Sequence, residues 1–223
     1  MPVITISNQF GAGGPELGRE LAKRLGIDYL DKEIIHRIAL EVNVPHSHVE
    51  EFEAERHDKF RTFFSGIFDL DALKQKANVA EAAEVAESRY DDRQKIPFQF
   101  NVDGWIDSDI YKQMIVKVVM EIAKRGNVVI AGRGGQHILA NFDKAIHVRL
   151  AGNLSDRVER VINQRGIKPS DAEDYVTTLD ARSRDYLRFY FNIDPDLPTL
   201  YHLTINTSRV SLAKSADMVT SLL

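Results

Sequence analysis

Residues 3–31 read VITISNQFGAGGPELGRELAKRLGIDYLD, and this stretch decides the fold. Its first residues are mostly β-branched, which is typical of a buried strand. A glycine-rich loop follows, and the next apolar residues recur at the spacing of an amphipathic helix. Pro15 suits the first turn of that helix, which needs no N–H there, and Gly26 suits the position just past its end. The stretch therefore predicts a strand, a glycine loop and a helix.

The glycine loop is the first candidate ligand site, and its residues are Gly11, Ala12, Gly13 and Gly14. A loop between a strand and a helix start points unpaired backbone N–H groups at whatever it holds, and an anion suits them best. Three interpretations stay open at this point. The loop binds phosphates, it binds a dinucleotide, or its glycines serve only the close packing of a turn.

Both nucleotide-binding patterns fit the loop incompletely. A phosphate loop reads G-x-x-x-x-G-K-[ST], in which the lysine reaches the phosphates and the hydroxyl holds Mg²⁺. Here Gly14 stands at the lysine position, Pro15 at the hydroxyl position and Asn8 at the first glycine. The dinucleotide pattern G-x-G-x-x-G needs a glycine or alanine where Glu16 stands, so it fits less well.

The composition sets outer bounds on the function. With 223 residues, of which 43% are hydrophobic, the chain is long enough for one domain, with or without an insertion. A net charge of −4 gives no support for binding to nucleic acids or membranes. The absence of cysteine excludes disulfides and thiolate metal sites. Met1-Pro2 leads directly into a strand, and no apolar run approaches the roughly 20 residues of a membrane span, so we expect a cytoplasmic protein.

Further segments have the apolar, β-rich composition of strands: 27–30, 127–131, 145–150 and 201–205. Helical patterns separate these segments. Such alternation predicts an α/β fold with a five-stranded parallel sheet and helices on both faces. In a parallel sheet the carboxyl ends of the strands face the ligand crevice, so charged residues that follow strands are candidates for the site.

Two charged residues meet this condition. Asp31 ends the second predicted strand, although it equally suits the cap of a following helix. Arg133 follows the third strand within a second glycine-rich turn, Gly132–Gly135. An arginine at a helix start opposes the helix dipole unless an anion compensates, so we favour ligand binding for Arg133.

Residues 43–109 differ in character and predict a helical insertion between two parts of a core, 1–42 and 110–223. An aromatic-rich helix over 49–68 is expected to pack on the core or on a second copy of the chain. A homodimer through the insertion is therefore a prediction. The segment also contains histidines whose spacing matches no zinc site, so no metal site is predicted there: His46, His48 and His57.

An arginine-rich helical hairpin over about 153–190 follows the fourth strand. Its helices are predicted over 155–165, with Ser155 as the cap, and over 170–191. Such a hairpin is either a solvated surface with paired charges or a mobile lid that brings guanidinium groups to phosphates.

Four segments together resemble the cytidylate kinase-like family of phosphate-loop proteins. They are ITISNQFGAGGPELGRELAKRLGIDYLDKEII, VVIAGRGGQHIL, HVRLAGNLSDRVERV and YHLTINTSRVSLAKSADMV. They occur in the order typical of the family and cover most of the chain outside 43–110.

The resemblance implies a three-layer P-loop NTPase-type fold and ATP-dependent phosphoryl transfer to a nucleoside monophosphate, with ATP and Mg²⁺ as cofactors. It implies that the glycine loop surrounds the ATP phosphates and that Asp31 and Arg133 lie near the acceptor nucleotide. Mg²⁺ would bridge ATP oxygens and be held largely through water. The resemblance also implies that Arg133 takes part in catalysis together with arginines of the lid: Arg157, Arg165, Arg182 and Arg184.

The chain departs from the cytidylate kinases of this family at several positions. Gly14 and Pro15 remove the lysine and the hydroxyl, and Gly134 stands where these enzymes carry an acid. The lid pattern D-x-x-R, begun at Asp180, ends on Ser183. A second function therefore stays open, namely a catalytically degenerate module that senses a nucleotide or scaffolds a partner. A dinucleotide oxidoreductase is disfavoured by the mismatched glycine pattern and by the lack of a hydride-transfer constellation.

Overall fold

The structure, a computed structural model of the chain, describes residues 1–32, 35 and 108–223. Of the helical insertion predicted over 43–109, residues 43–107, with the histidines and the predicted homodimer contact, lie outside the described residues. Contacts within the chain group its residues into two compact units: Met1–Ile35 with Val116–Leu223, and His36–Ile115.

The first unit is built on a five-stranded sheet. Its strands are β1 Val3–Asn8, β2 Asp28–Leu30, β3 Val128–Ala131, β4 Ala145–Ala151 and β5 Leu203–Asn206. Their order is β2-β3-β1-β4-β5, and every neighbouring pair is parallel. Central β1 lies between β3 and β4, with Ile6 opposite Ala131 on one side and Val148 on the other. The predicted α/β fold with a five-stranded parallel sheet is confirmed.

The described helices are α1 Gly14–Leu25, α2 Ser108–Arg125, α3 Gly135–Ile138, α4 Leu154–Arg165, α5 Pro169–Phe191 and α6 Leu212–Thr220. As predicted, Gly26 ends α1 in the left-handed conformation, with φ of 65°. No helix in the described ranges combines the length and the low charge needed to cross a bilayer.

Two of the boundaries that differ from the prediction have a clear physical reason. Helix α4 begins before Ser155, because the Asn153 carbonyl already accepts the first helical hydrogen bond from the Arg157 N–H at 3.1 Å. Strand β5 begins after Tyr201, since that residue closes a 3₁₀ turn over Pro198–Leu200 by donating its N–H to the Pro198 carbonyl at 3.1 Å.

Strand β1 presents apolar residues to one face of the sheet and more polar ones to the other, as strand geometry requires. Ile4 and Ile6 join a buried cluster with residues of α1 and α6, among them Leu17, Leu21 and Val219. This packing fixes α1 against the sheet and therefore fixes the direction in which its first turn points.

Tyr29 of β2 packs its ring against Gly18 of α1, where a Cβ would lie 2.3 Å from the ring. The Tyr29 hydroxyl is buried and has no hydrogen-bond partner among the described residues. Burial raises the pKa of this hydroxyl to about 12.

The substitution Tyr29→Phe is expected to stabilise the chain by about 1 kcal/mol, because it removes a buried polar atom that makes no hydrogen bond. Urea unfolding at pH 7 measures the change. The matched control is Tyr201→Phe, whose hydroxyl donates to the Pro195 carbonyl at 2.8 Å and whose loss should destabilise the chain. Equal destabilisation by both substitutions would contradict the prediction.

On the other face of the sheet, His147 of β4 is 4% exposed and its Nδ1 bonds the Thr5 hydroxyl at 2.7 Å. Its backbone N–H donates to Nδ1 of His202 at 3.0 Å. Burial, aided by the nearby His202 ring, lowers the pKa of His147 to about 4. The ring is therefore neutral in the folded chain at neutral pH.

Stability is expected to fall as the pH drops from 6.5 towards 4, because the unfolded chain then binds a proton at His147 that the folded chain refuses. The loss from this group reaches about 3 kcal/mol below pH 4 and is absent well above pH 6.5. Urea unfolding between pH 7.5 and about pH 4.5 tests this. In a His147→Asn variant the fall should be shallower, and an unchanged slope would refute the assignment.

Candidate functional site

The glycine loop lies at the carboxyl end of β1, where it enters α1. Gly11 and Gly13 adopt left-handed conformations, with φ of 78° and 89°. A Cβ on Gly11 would lie 2.6 Å from the Arg157 carbonyl oxygen, and one on Gly13 would lie 2.8 Å from the Leu212 side chain. The loop glycines therefore do serve close packing, against α4 and α6.

The same loop also offers donors to an anion. Gly11, Gly13 and Gly14 donate their N–H groups to no acceptor in the part of the chain that the structure describes. The Ala12 N–H, by contrast, donates to the Gln9 carbonyl at 3.0 Å. Gly13 is the N-cap of α1, so the positive end of the helix dipole adds to these donors. The packing interpretation and the anion-binding interpretation are thus compatible.

The turn after β3 lies beside this loop. Its Gly132 N–H donates to the Ile6 carbonyl of β1 at 2.9 Å. Gly132, Arg133 and Gly134 all have positive φ, of 84°, 55° and 74°. Such a conformation is strained for a residue with a side chain, and strain of this kind clusters at ligand sites. The Phe191 ring packs against this turn, since a Cβ on Gly134 would lie 2.7 Å from it.

Arg133 reaches from this turn towards the end of β2. Its Nε donates to the Lys32 carbonyl at 3.0 Å, and its guanidinium lies 5.3 Å from the centre of the Tyr186 ring. Asp31 directly precedes Lys32 in the chain, and its carbonyl accepts the Ile35 N–H at 3.0 Å. The structure therefore brings Asp31 and Arg133 to the edge that holds the glycine loop. That both contact an acceptor stays a prediction.

Helices α4 and α5 contact the glycine loop through Phe10. Asp180 of α5 accepts the Phe10 N–H at 2.7 Å with one carboxylate oxygen and bonds Arg157 Nη1 at 2.7 Å with the other. Arg157 also donates to the Phe10 carbonyl at 2.9 Å and to the Gly152 carbonyl at 3.0 Å. The Arg157 and Asp180 side chains are 7% and 11% exposed. Arg157 thus lies against the loop backbone, and its contact with a phosphate stays a prediction.

Arg160 is a second guanidinium at the loop that the sequence analysis did not choose. It donates to the Gly11 carbonyl at 3.0 Å and to the Thr207 carbonyl at 2.6 Å. Its spacing from Arg157 places both on one face of α4, and this spacing is the signal that was available in the sequence.

The remaining predicted arginines divide into two groups. Arg165 lies 5.1 Å from the centre of the Phe10 ring and donates to the Tyr175 hydroxyl at 3.3 Å, so the structure brings it to the loop. Arg182 and Arg184 are exposed on α5 and form no ion pair with any described residue. The D-x-x-R spacing that fails at Asp180 is met further along α5 by the exposed residues Asp185 and Arg188, which the sequence analysis missed.

A buried cation also lies beside Ser7, near the carboxyl end of β1 and on the face of the sheet opposite α1. Arg149 of β4 donates to the Ser7 hydroxyl at 2.8 Å and to Asp196 at 2.5 Å, and its side chain is 8% exposed. The Tyr201 hydroxyl bonds Ser7 at 3.3 Å, and burial raises its pKa. Arg149 and Asp196 are 47 residues apart in the chain, so their pairing could not be predicted from local sequence patterns.

The glycine loop and the turn after β3 lie at the carboxyl edge of the sheet, because they directly follow the neighbouring strands β1 and β3. Ligands of open parallel sheets bind at this edge, where connections from neighbouring strands leave to opposite sides. A separate cavity of about 330 Å³ lies at the amino edge and is lined by Met1, Gly126 and Lys144 among others. None of the candidate site residues lines that cavity.

The sequence matches the cytidylate kinase-like family over residues 3–209. A cytidylate kinase from Pyrococcus horikoshii is 34% identical over 107 residues, which are 48% of this chain and 52% of that protein. The chain thus matches about half the length of this curated relative.

Solved structures bear on the fold alone. An uncharacterized protein from Eubacterium ventriosum superimposes with a TM-score of 0.65 at 16% identity, over 100% of this chain and 98% of that one. A shikimate kinase from Bacteroides thetaiotaomicron reaches a TM-score of 0.46 at 14% identity, over 99% of this chain and 97% of that one, which is too low to bear on the function. The family match, in contrast, spans β1 to the turn after β5 and includes both glycine turns. The chain belongs to the cytidylate kinase-like family.

Proposed function

We propose that the chain transfers a phosphoryl group from ATP to a nucleoside monophosphate. The observation that carries this proposal is the set of unpaired N–H groups of Gly11, Gly13 and Gly14 at the start of α1. Family and fold are kinase-like, and the identified relative is a cytidylate kinase. The nucleoside monophosphate as acceptor rests on that relative and on Arg133 at the neighbouring turn.

In the proposed reaction an acceptor phosphate oxygen attacks the γ-phosphorus of ATP. The bond from that phosphorus to the bridging oxygen breaks, and ADP leaves. Such a transfer needs mainly positioning and stabilisation of negative charge. The loop amides bind the donor phosphates, and Arg133 orients the acceptor. Arg182 and Arg184, which are exposed, are proposed to reach the moving phosphoryl group.

The residues around the loop do not form a metal site of their own. Pro15 has no hydroxyl, and the described part of the chain contains no group of three carboxylate or imidazole ligands. In this proposal Mg²⁺ arrives with ATP, and no step depends on a protein ligand to it.

The test is ADP formation from ATP and Mg²⁺ with each of the common nucleoside monophosphates, together with calorimetric titration of ATP–Mg²⁺. We expect binding heat and turnover with at least one acceptor. The control is Arg133→Leu, which should raise the KM for the acceptor while leaving ATP binding unchanged. Absence of both heat and turnover for the unaltered chain would exclude the proposal.

A second candidate function is a nucleotide-binding module without catalysis. The observation that favours it is that Arg157 and Arg160 are engaged with the loop backbone, while Gly14 replaces the lysine of a phosphate loop. Such a module would be stabilised by ligand, by about 2.7 kcal/mol at a concentration 100 times the Kd, yet would release no ADP. Thermal shifts with nucleotides, combined with the ADP assay, separate the two functions.

A further inference from the structure

We propose that Asp180 is a positioning residue: it holds the glycine loop in the conformation that binds an anion, without contacting the anion itself. Phe10 is contacted through its N–H, its carbonyl and its ring at the same time. Asp180 accepts the N–H at 2.7 Å, and Arg157 donates to the carbonyl at 2.9 Å. The ring meets Tyr175 edge to face, with centres 5.6 Å apart, and Arg165 at 5.1 Å.

These contacts use the Phe10 N–H, carbonyl and ring, and leave the unpaired glycine amides of the loop unused. Arg160 extends them to the next residue by donating to the Gly11 carbonyl at 3.0 Å. The consecutive carbonyls of Phe10 and Gly11 thus accept hydrogen bonds from guanidinium groups of α4. The Phe10 N–H donates to a carboxylate of α5. Asp180 is the one acidic group in this set, and it bonds both Phe10 and Arg157.

The loop has a physical need for such support. Its glycines have more conformational freedom to lose than any other residue, and that loss weakens the binding of a ligand unless the loop is already ordered. No lysine from the loop is available to order it around the phosphates, because Gly14 occupies that position. The ion pair with Arg157 also neutralises the Asp180 carboxylate, so the supporting acid does not repel a phosphate.

The inference rests on the proposed function for its ligand, ATP, but its structural part is tested without ligand. Amide hydrogen exchange is measured for the hydrogen-bonded amides of the loop segment, those of Gln9, Phe10 and Ala12, in the full chain and in the variants Asp180→Ala and Asp180→Asn. We expect exchange in this segment to accelerate at least about tenfold in D180A relative to β4, because the Phe10 N–H loses its acceptor. D180N retains an acceptor oxygen and should give a smaller change.

The matched control is Asp174→Ala, an exposed aspartate on the same helix α5. Calorimetric titration with ATP should show a Kd raised about tenfold in D180A, intermediate in D180N and unchanged in D174A, as expected for lost preorganisation of the loop. A purely structural role would instead accelerate exchange equally in the loop and in β4.

Equal exchange rates of the loop amides in D180A and D174A would overturn the inference, whatever the result of the ATP titration. If the unaltered chain binds no ATP, the proposed function fails, while the exchange comparison still decides the role of Asp180. Should D180A not fold, the double variant Asp180→Leu with Arg157→Leu replaces the buried pair by apolar groups. The same exchange measurement is then made on that variant. Accelerated exchange of the loop amides would support the proposed role of Asp180, and exchange as slow as in the unaltered chain would contradict it.

Discussion

Gly11→Ala is expected to destabilise the chain by about 4 kcal/mol, from the left-handed backbone and from overpacking against a backbone atom. Gly11 has φ of 78°, and its new Cβ would lie 2.6 Å from the Arg157 carbonyl oxygen. Backbone cannot rotate away as a side chain can, so α4 has to move off the loop. We therefore expect the variant to lose its thermal shift with ATP as well, if the unaltered chain shows one.

The control for this prediction is Gly26→Ala. Gly26 also has positive φ, of 65°, but its Cβ would meet nothing within 4 Å. Only the conformational penalty then applies, which is about 1 kcal/mol. Urea unfolding of both variants isolates the cost of the close approach. Equal losses of stability would show that α4 does not contact the loop as described.

Arg157→Leu is expected to cost about 4 kcal/mol, because it leaves Asp180 buried without its cation. The Asp180 side chain is only 11% exposed, so water does not replace the lost partner. The double variant Arg157→Leu with Asp180→Leu should recover part of the loss. The remaining cost comes from the Phe10 N–H, which loses its acceptor, and from the Phe10 and Gly152 carbonyls, which lose their donor. Urea unfolding of the two single variants and the double variant gives the coupling free energy of the pair.

The exposed residue Arg24 is the control for this second prediction. It contacts Glu20 and Asp217, each at 2.6 Å, with its own side chain 32% exposed. Ion pairs at the surface contribute little to the free energy of unfolding even when their distances are short. Arg24→Leu should therefore change stability far less than Arg157→Leu. If the two substitutions cost the same, the Arg157–Asp180 pair is not protected from water.

The sequence was sufficient for the fold class because the signals were local. β-Branched runs marked the strands, and Gly26 marked the end of α1. Alternation of strands and helices then required a parallel sheet. The strand order was out of reach, since pairs such as Val3 with Val128 join residues that are distant in the chain.

The candidate site was partly accessible for the same reason. The glycine loop and Arg133 could be chosen because each follows a strand directly. The contacts of Arg157, Asp180 and Arg149 could not be predicted, because they depend on how α4, α5 and the turn before β5 pack. Helical periodicity tells which residues share a face, but it does not tell which neighbour that face meets.

The turn after β3 has an evolutionary consequence. Arg133 has φ of 55°, a backbone conformation that glycine or asparagine adopts with less strain. The arginine therefore lowers the free energy of unfolding of this chain. Selection for thermal robustness alone would therefore remove it. Laboratory evolution of this chain for stability, without selection for activity, should replace Arg133 early. Such a result would reveal a trade-off between stability and activity at this position.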